Sequence, residues 1–236
     1  MEPTHTVSAA TDRPILSIVI PALDEAAVIV DMLRPLQDLR LRGVELVLAD
    51  GGSIDGTRAC ASRWVDAHFS APRGRASQMN AGARLARAEL LLFLHADTML
   101  PAAADAHVLA AVAAGACWGR FDVRIAGRPA MLPVVAALMN LRSRLTGIAT
   151  GDQAIFVTRA AFERIGGFPV QPLMEDIEIS RRLKLLGRPA CLRVKVTTSG
   201  RRWERRGIWP TIVLMWWLRW RYWRGERPEL LAKAYR

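Results

Sequence analysis

Cysteine is scarce in this chain, and its spacing never suggests a pair. Cys60, Cys117 and Cys191 stand singly, with no CxxC. That excludes a thiolate zinc site and a disulfide framework, and it suits a reducing, cytoplasmic compartment. A long apolar run is also missing. The apolar stretch Ile208–Leu218 is about half of the ~20 residues that a spanning helix needs. The first residues, MEPTHTVSAATDRP, lack an apolar signal-peptide segment, so residues 1–13 read as a loose arm. Neither GxGxxG nor a P-loop occurs, which removes the usual support for dinucleotide and ATPase readings. No repeat or low-complexity linker divides the chain.

What is present is a large apolar fraction, 51%, enough for a substantial core. The formal net charge is +11, carried mostly by arginine. Residues 201–236 hold nine Arg and one Lys against three Glu, so the basic excess is local. Its partner could be anionic lipid, nucleic acid or a phosphorylated substrate. Strand-like runs at Ile15–Ile20, Val44–Ala49, Ala67–Ser70 and Leu90–Leu94 alternate with helical patterns at Ala26–Leu39, Thr57–Val65 and Ser77–Ala86. That alternation predicts βαβ units and a mostly parallel sheet. Further on, strands are expected at Trp118–Ile125, Gln153–Val157 and Ala190–Val196. Helices are expected at Ala102–Ala114, Pro133–Leu145 and Glu175–Leu186.

Leu90–Leu94 has no polar alternation, as for a strand buried on both faces, and it delivers Asp97 to its carboxyl end. In open α/β sheets ligands bind at that edge. Two more acidic loops open there: Pro21-Ala-Leu-Asp-Glu25 after the first strand and Asp50-Gly-Gly-Ser-Ile-Asp-Gly-Thr57 after the second. Either alone is equally well a plain Asp/Gly turn; three in register point to a ligand. Arg75, near a helix start, can meet phosphate or be a solvated surface arginine. Asn80 and Gly82 within a helical pattern signal close packing or ligand approach. His95-Ala96-Asp97 offers two potential metal ligands, with His95 equally readable as a packed histidine. Asp176 shares a stripe with Ile179, Leu183 and Leu186 at the start of a helix, where a positioned carboxylate can act as a base. Acids also simply favour helix starts. Glu178 reads as solvated, and Gly151-Asp152-Gln153 as either a turn or a cleft wall.

Taken together, these pieces resemble the family 2 glycosyltransferases, inverting enzymes of GT-A fold. The matching segments are Ser17–Glu25, Asp50–Thr57, Asn80-Ala-Gly82, His95-Ala-Asp97 and Glu175-Asp176, in the family's order over about residues 15–200. FLHADT and GDQAIF look like a bacterial subgroup associated with radical-SAM and selenodomain proteins. The resemblance implies an α/β fold, a GT-A-type three-layer α/β/α with a mostly parallel central sheet. It implies a transfer domain over 14–200 and a nucleotide-sugar donor held by Pro21, Ala22, Glu25, Asp50, Gly51, Arg75, Asn80, His95 and Ala96. It further implies Mg²⁺ or Mn²⁺ at Asp97 and Asp176 as general base. Gly151, Asp152, Gln153 and Glu175 then fall on the acceptor side. Two departures stand out. His95 replaces the first aspartate of the family's DxD motif, and the QxxRW motif of processive members is absent, with Arg201-Arg-Trp-Glu204 only an echo. Transfer of one sugar, not polymerisation, is therefore expected.

Six of the eight tryptophans fall between 203 and 223. A Trp/Arg-rich helical extension over 201–236 follows, and 208–224 suits peripheral membrane contact at the inner face of the cell membrane. A lipid-linked acceptor would match. The same segment can equally pack on the core or on a partner subunit. Two rival functions remain on the sequence: a sugar nucleotidylyltransferase, which would want a Gly/Arg/Lys-rich loop after the first strand, and a non-catalytic basic module for membrane or nucleic acid. No nucleic-acid motif is present, and nucleic acid is not expected as a partner.

Overall fold

The computed structural model describes residues 13–235; the arm expected over 1–13 lies almost wholly outside them. The elements follow in order. β1 (Leu16–Ala22) leads to α1 (Ile29–Leu33) and α2 (Gln37–Leu41); β2 (Val44–Asp50) leads to α3 (Thr57–Ala61). β3 (Ala67–Ser70) and α4 (Arg75–Leu85) precede β4 (Leu90–Phe93). Then come β5 (Thr98–Met99), α5 (Ala104–Ala113), β6 (Trp118–Ala126), α6 (Leu132–Thr146), β7 (Ile155–Thr158), α7 (Arg159–Arg164) and α8 (Glu175–Lys184). β8 (Ala190–Ser199), α9 (Arg201–Arg206), α10 (Ile208–Trp223) and α11 (Pro228–Tyr235) complete the chain.

One eight-stranded sheet has the order β3-β2-β1-β4-β7-β6-β8-β5. β3, β2, β1 and β4 run parallel; β7 is antiparallel to both β4 and β6; β6 and β8 run parallel, and β5 closes the far edge antiparallel to β8. The alternation of β1 sorts the layers. Leu16, Ile18 and Ile20 face a cluster with α1, α2, α5 and α6. Val19 faces the other side, with Met79 and Ala83 of α4, Phe162 of α7 and Ile179 and Leu183 of α8. The three-layer expectation therefore holds. Gly82 allows the closest of these contacts: a Cβ there would stand 2.3 Å from Val19 Cγ1. Its place in a helix is explained by packing.

The long helix expected at 26–39 is instead α1, a 3₁₀ turn at Arg34–Leu36 and α2. Pro35 has no N–H to continue the α-helical ladder. Gln153 leaves its expected strand and closes a 3₁₀ turn over Gly151–Gln153. The short β5 and α7 were not expected.

β1 has β2 on one side and β4 on the other, so the chain reverses its winding between β1 and β4. A crevice opens outside the strand ends at such a point. The tail folds back against the domain. Leu218 of α10 and Leu231 of α11 are fully buried with Leu173 and Met174, just ahead of α8.

Candidate active site

The loops after β1 and β2 are laced together. Asp24 N–H donates to Ser53 Oγ (2.9 Å), and Ile54 N–H donates back to the Asp24 carboxylate (2.9 Å). Glu25 N–H donates to Thr57 Oγ1 (2.8 Å) and Ala26 N–H to Asp55 (2.9 Å). Hydrogen bonds from the Thr57 hydroxyl and the Ala26 amide hold the Asp55 carboxyl below its usual range. Asp50 is buried and closes its own turn, accepting from the amides of Gly52 (3.2 Å) and Ser53 (3.1 Å). Gly51 N–H donates to the Ala22 carbonyl at 2.9 Å. Pro21 and Ala22 extend β1 beyond its expected end, in register with Ala49 and Asp50. Beneath both loops, the buried Gln78 amide donates to the carbonyls of Ala22 (2.8 Å) and Ala49 (2.9 Å). Beside Asp50 a cleft of about 540 Å³ runs past Ser53, Arg58, His68 and Ser70, within the size range of small-molecule sites.

Asp97 follows β4 at the reversal point, with a side chain 32% exposed. Its nearest partners are loose: Thr98 Oγ1 at 3.4 Å and Arg201 Nη2 at 3.8 Å. Such a carboxylate fits one oxygen position of a hard cation completed by phosphate oxygens. No group of three His, Cys, Asp or Glu able to hold a metal occurs among the described residues, so a cation here needs substrate ligands. Arg201 also reaches Glu25 at 3.4 Å, which ties the tail to the loop after β1.

Across the crevice, Asp176 stands in the first turn of α8. Its carboxylate accepts from the amides of Gly151 (3.1 Å) and Ile177 (2.8 Å). His95 packs against Gly151, where a Cβ would meet its ring at 2.2 Å, and its Nδ1 is 3.6 Å from Asp152. A small pocket gathers His95, Gly151, Glu175 and Asp176 over a floor of Met79, Phe93, Ile155 and Phe168. Burial, then the adjacent Asp176 charge, push the Glu175 carboxyl up. Desolvation pushes Asp152 up as well, but the nearby His95, Arg75 and Arg202 outweigh it and the net shift is downward. Among the described residues, the three non-glycine residues with positive φ are Asp24 (53°), Ala154 (46°) and Met174 (67°). Each borders a loop of this crevice, in the way that backbone strain collects at working sites.

The model of glycosyl transferase family 2 matches residues 17–160, more than half of the chain. The chain belongs to glycosyl transferase family 2. A PGL/p-HBAD biosynthesis glycosyltransferase of Mycobacterium bovis (strain BCG / Pasteur 1173P2) is 38% identical over 108 residues, covering 43% of this chain and 41% of the relative. The same values hold for its counterpart in Mycobacterium tuberculosis (strain ATCC 25177 / H37Ra). The match therefore spans less than half the length of these curated relatives. Among solved structures, the Pyrobaculum calidifontis mannosyltransferase PcManGT aligns with TM-score 0.59 and 22% identity over 78% of this chain and 56% of its own. S. aureus TarS 1–349 aligns with TM-score 0.63 and 16% identity over 78% and 60%. Glucosyl-3-phosphoglycerate synthase of Mycobacterium tuberculosis aligns with TM-score 0.59 and 21% identity over 84% and 76%. These neighbours carry the GT-A fold, and the fold of this chain matches theirs.

Within this family 2 chain the remaining candidates are distributed unevenly. Asn80 forms a two-way clasp with the Phe168 backbone (2.8 and 2.9 Å), fixing the loop ahead of α8. Ala96 is buried in the core beneath the His95–Asp97 loop. Arg75 is exposed and lies within electrostatic range of Asp152, Glu175 and Arg202. Gln153 is fully buried; its side-chain oxygen caps Thr150 N–H (3.1 Å) and its amide meets Asn140 (3.3 Å). Glu178 is not merely solvated. It pairs with Arg181 and Arg182 and accepts from Tyr222 of α10, because the tail covers that side of α8. Sequence reasoning passed over Arg120, Asn140 and Arg142 and read Arg219 only as part of the Trp/Arg-rich tail; all four lie outside the motifs and meet the site only through the fold.

Proposed function

We propose that this chain transfers a single sugar from a nucleoside-diphosphate sugar to an acceptor hydroxyl, with inversion at the anomeric carbon. The observation that carries this reading is the placing of the Glu25, Asp50 and Asp97 loops at one sheet edge, opposite Asp176. The ligands of the structural neighbours support the donor class: GDP-Man with Mn²⁺ for PcManGT, UDP with Mn²⁺ for the glucosyl-3-phosphoglycerate synthase. Asp50 and the adjoining cleft would hold the nucleoside. Pro21, Ala22, Glu25, Gly51, Arg75, Asn80, His95 and Ala96 would shape the rest of the donor side. Gly151, Asp152, Gln153 and Glu175 would form the acceptor side. Bound at Asp97, Mg²⁺ or Mn²⁺ would neutralise diphosphate oxygens. Asp176, aimed by the Gly151 and Ile177 amides, takes the proton of the acceptor hydroxyl. That oxygen attacks the anomeric carbon from the face opposite the leaving diphosphate, which inverts the centre.

The FLHADT and GDQAIF segments support placement beside the radical-SAM-associated subgroup. We keep 14–200 as the transfer domain and 201–236 as an extension that completes its acceptor side. No helix among the described residues is long and apolar enough to cross a membrane. The exposed tryptophans of α10 support peripheral contact with the inner face of the cell membrane and a lipid-linked acceptor. The loop after β1 holds Leu23-Asp24-Glu25 rather than basic residues, which disfavours nucleotidylyl transfer.

Donor hydrolysis and transfer, measured over UDP- and GDP-sugars with Mg²⁺ or Mn²⁺, test the reading. Asp176→Asn should lower turnover by about 10³-fold, the scale of a general base, with metal–nucleotide binding intact by calorimetry. Asp97→Ala should abolish that binding. Near-normal turnover by Asp176→Asn would remove it as the base, and no turnover of any nucleotide sugar by the wild-type chain would remove the function.

A further inference from the structure

Buried side-chain polar atoms without a hydrogen-bond partner are few among the described residues: Trp64 Nε1, and both Nε and Nη2 of Arg142. Arg120, close by, shows the ordinary way to bury a guanidinium. It is fully buried, and it donates to Ser143 Oγ (3.0 Å), Asp122 and the Asn140 carbonyl (3.2 Å). Arg142 has no such partners. Its charged surroundings are Arg219, Asp176 and Arg120, two of them cations. Burial, with repulsion from Arg219, lowers its pKa to about 10. Arg219, half-buried on α10, lies within electrostatic range of Asp176 and Asp152. Asp176 lies within electrostatic range of both arginines, and its carboxylate is already held by two backbone amides. An unpaired buried guanidinium is costly, and a planar fork of donors is shaped for a phosphate or carboxylate.

We propose that Arg142 and Arg219 form an oxyanion subsite beside Asp176, which seats a phosphate group carried by the acceptor next to its reactive hydroxyl. This rests on the acceptor side lying at Asp176. The phosphate could belong to a lipid headgroup or to a soluble phosphate ester, and the surface favours the lipid. Leu138, Leu141 and Leu145 make an exposed stripe on α6; Trp216, Trp220 and Trp223 make another on α10. Arg142 adjoins Leu141 in the chain and Arg219 adjoins Trp220. Two part-buried arginines on the helices that carry exposed aliphatic and indole stripes suit the level of phosphates at a membrane surface.

The test uses the full chain with three probes: glycerol 3-phosphate, dihexanoylphosphatidic acid below its micelle concentration, and UDP or GDP with Mn²⁺. Binding is read by calorimetry and tryptophan fluorescence. Both phosphate probes should bind saturably, and Arg142→Gln and Arg219→Gln should each weaken them by at least tenfold. Arg142→Lys should lose part of that, for want of the fork, while the distant Arg164→Gln should change nothing. Nucleotide binding should survive in every variant and should not compete. Lipid phosphate at least tenfold tighter than glycerol 3-phosphate, with the gap closed by Trp216→Ser/Trp220→Ser, assigns a lipid source; equal affinity assigns a soluble one. No saturable phosphate binding, equal binding by Arg142→Gln, or competition by nucleotide would each overturn the subsite. Phosphate binding that needs Arg142 in a chain that binds no nucleotide would keep the subsite and sink the transferase reading.

Discussion

The two walls of the crevice are prepared in opposite ways. On the donor wall the acids of the β1 and β2 loops, unlike the loosely held Asp97, are engaged before any substrate arrives. Asp50 closes its own turn, Asp24 and Asp55 tie neighbouring loops, and Gln78 braces both strand ends from below. On the acceptor wall Arg142 and Arg219 lie within electrostatic range of one another, and Arg142 holds two unused buried donors. Preorganised groups spend little on ordering when a ligand binds, whereas unsatisfied ones gain the most from a partner that completes them. On the proposed assignment, the donor wall thus suits a ligand type shared across a family, and the acceptor wall a particular partner.

Gln78→Leu attacks that contrast from the donor side. It removes a donor from two buried carbonyls, Ala49 and Ala22, of which Ala22 keeps the Gly51 amide. At about 1–3 kcal/mol per unsatisfied group, the loss should be about 1–3 kcal/mol of unfolding free energy, read by urea denaturation. Among molecules still folded, donor KM should rise while glycerol 3-phosphate affinity stays within twofold. A parallel loss of phosphate affinity would mean that the walls are one unit.

Gly151→Ala strikes where the walls touch. An added methyl would stand 2.2 Å from His95 Cε1, so either the ring or the Gly151 amide that aims Asp176 must move. A displacement of this kind at a reacting group should cut kcat about 10–100-fold, with donor KM nearly constant and Tm little changed. If KM rises while kcat holds, His95 serves the donor and the amide does not position the base.

How much of this was legible in the sequence follows the same division. The run Leu90–Leu94 announced a strand buried on both faces, and Asp97 at its end announced the edge, because both signals are local. The acids after β1 and β2 could be read because strand ends define where such loops point. Pro35 was equally local, yet its break in the helix was overlooked. Arg142 and Arg219 were illegible for a different reason. Each looks like a surface arginine in an apolar helix, and only folding brings α6 and α10 to the same carboxylate. Glu178 looked solvated because the cover supplied by Tyr222 comes from the far end of the chain. Asn80 was recognised as unusual within its helix, but its partner, the Phe168 backbone, has no sequence signature.

The smallest expected effect concerns the two acids that border Asp176, and it has opposite signs at the two positions. Glu175 is buried beside a like charge, so its carboxyl sits above the ordinary range in the folded chain. Between that ordinary value, about 4.3, and the raised one, the folded state holds a proton that the unfolded state has released. Stability from this group therefore falls as pH rises through the window and stays lower above it. Asp152 is shifted the other way by His95, Arg75 and Arg202. Its contribution is present above about pH 3.9 and is lost as pH falls through the lowered value. Glu175→Gln should accordingly raise Tm at pH 7 by a few degrees and converge with the wild type below about pH 4, where both side chains are neutral. Asp152→Asn should lower Tm at pH 7 by less, because its side chain is 45% exposed and solvent screens its partners. Thermal melts across pH 3–8 decide it. Shifts of the same sign in both variants would mean that the arginines around the acceptor wall do not discriminate between the two carboxylates. The cluster would then act as a diffuse positive field rather than as a set of aimed partners.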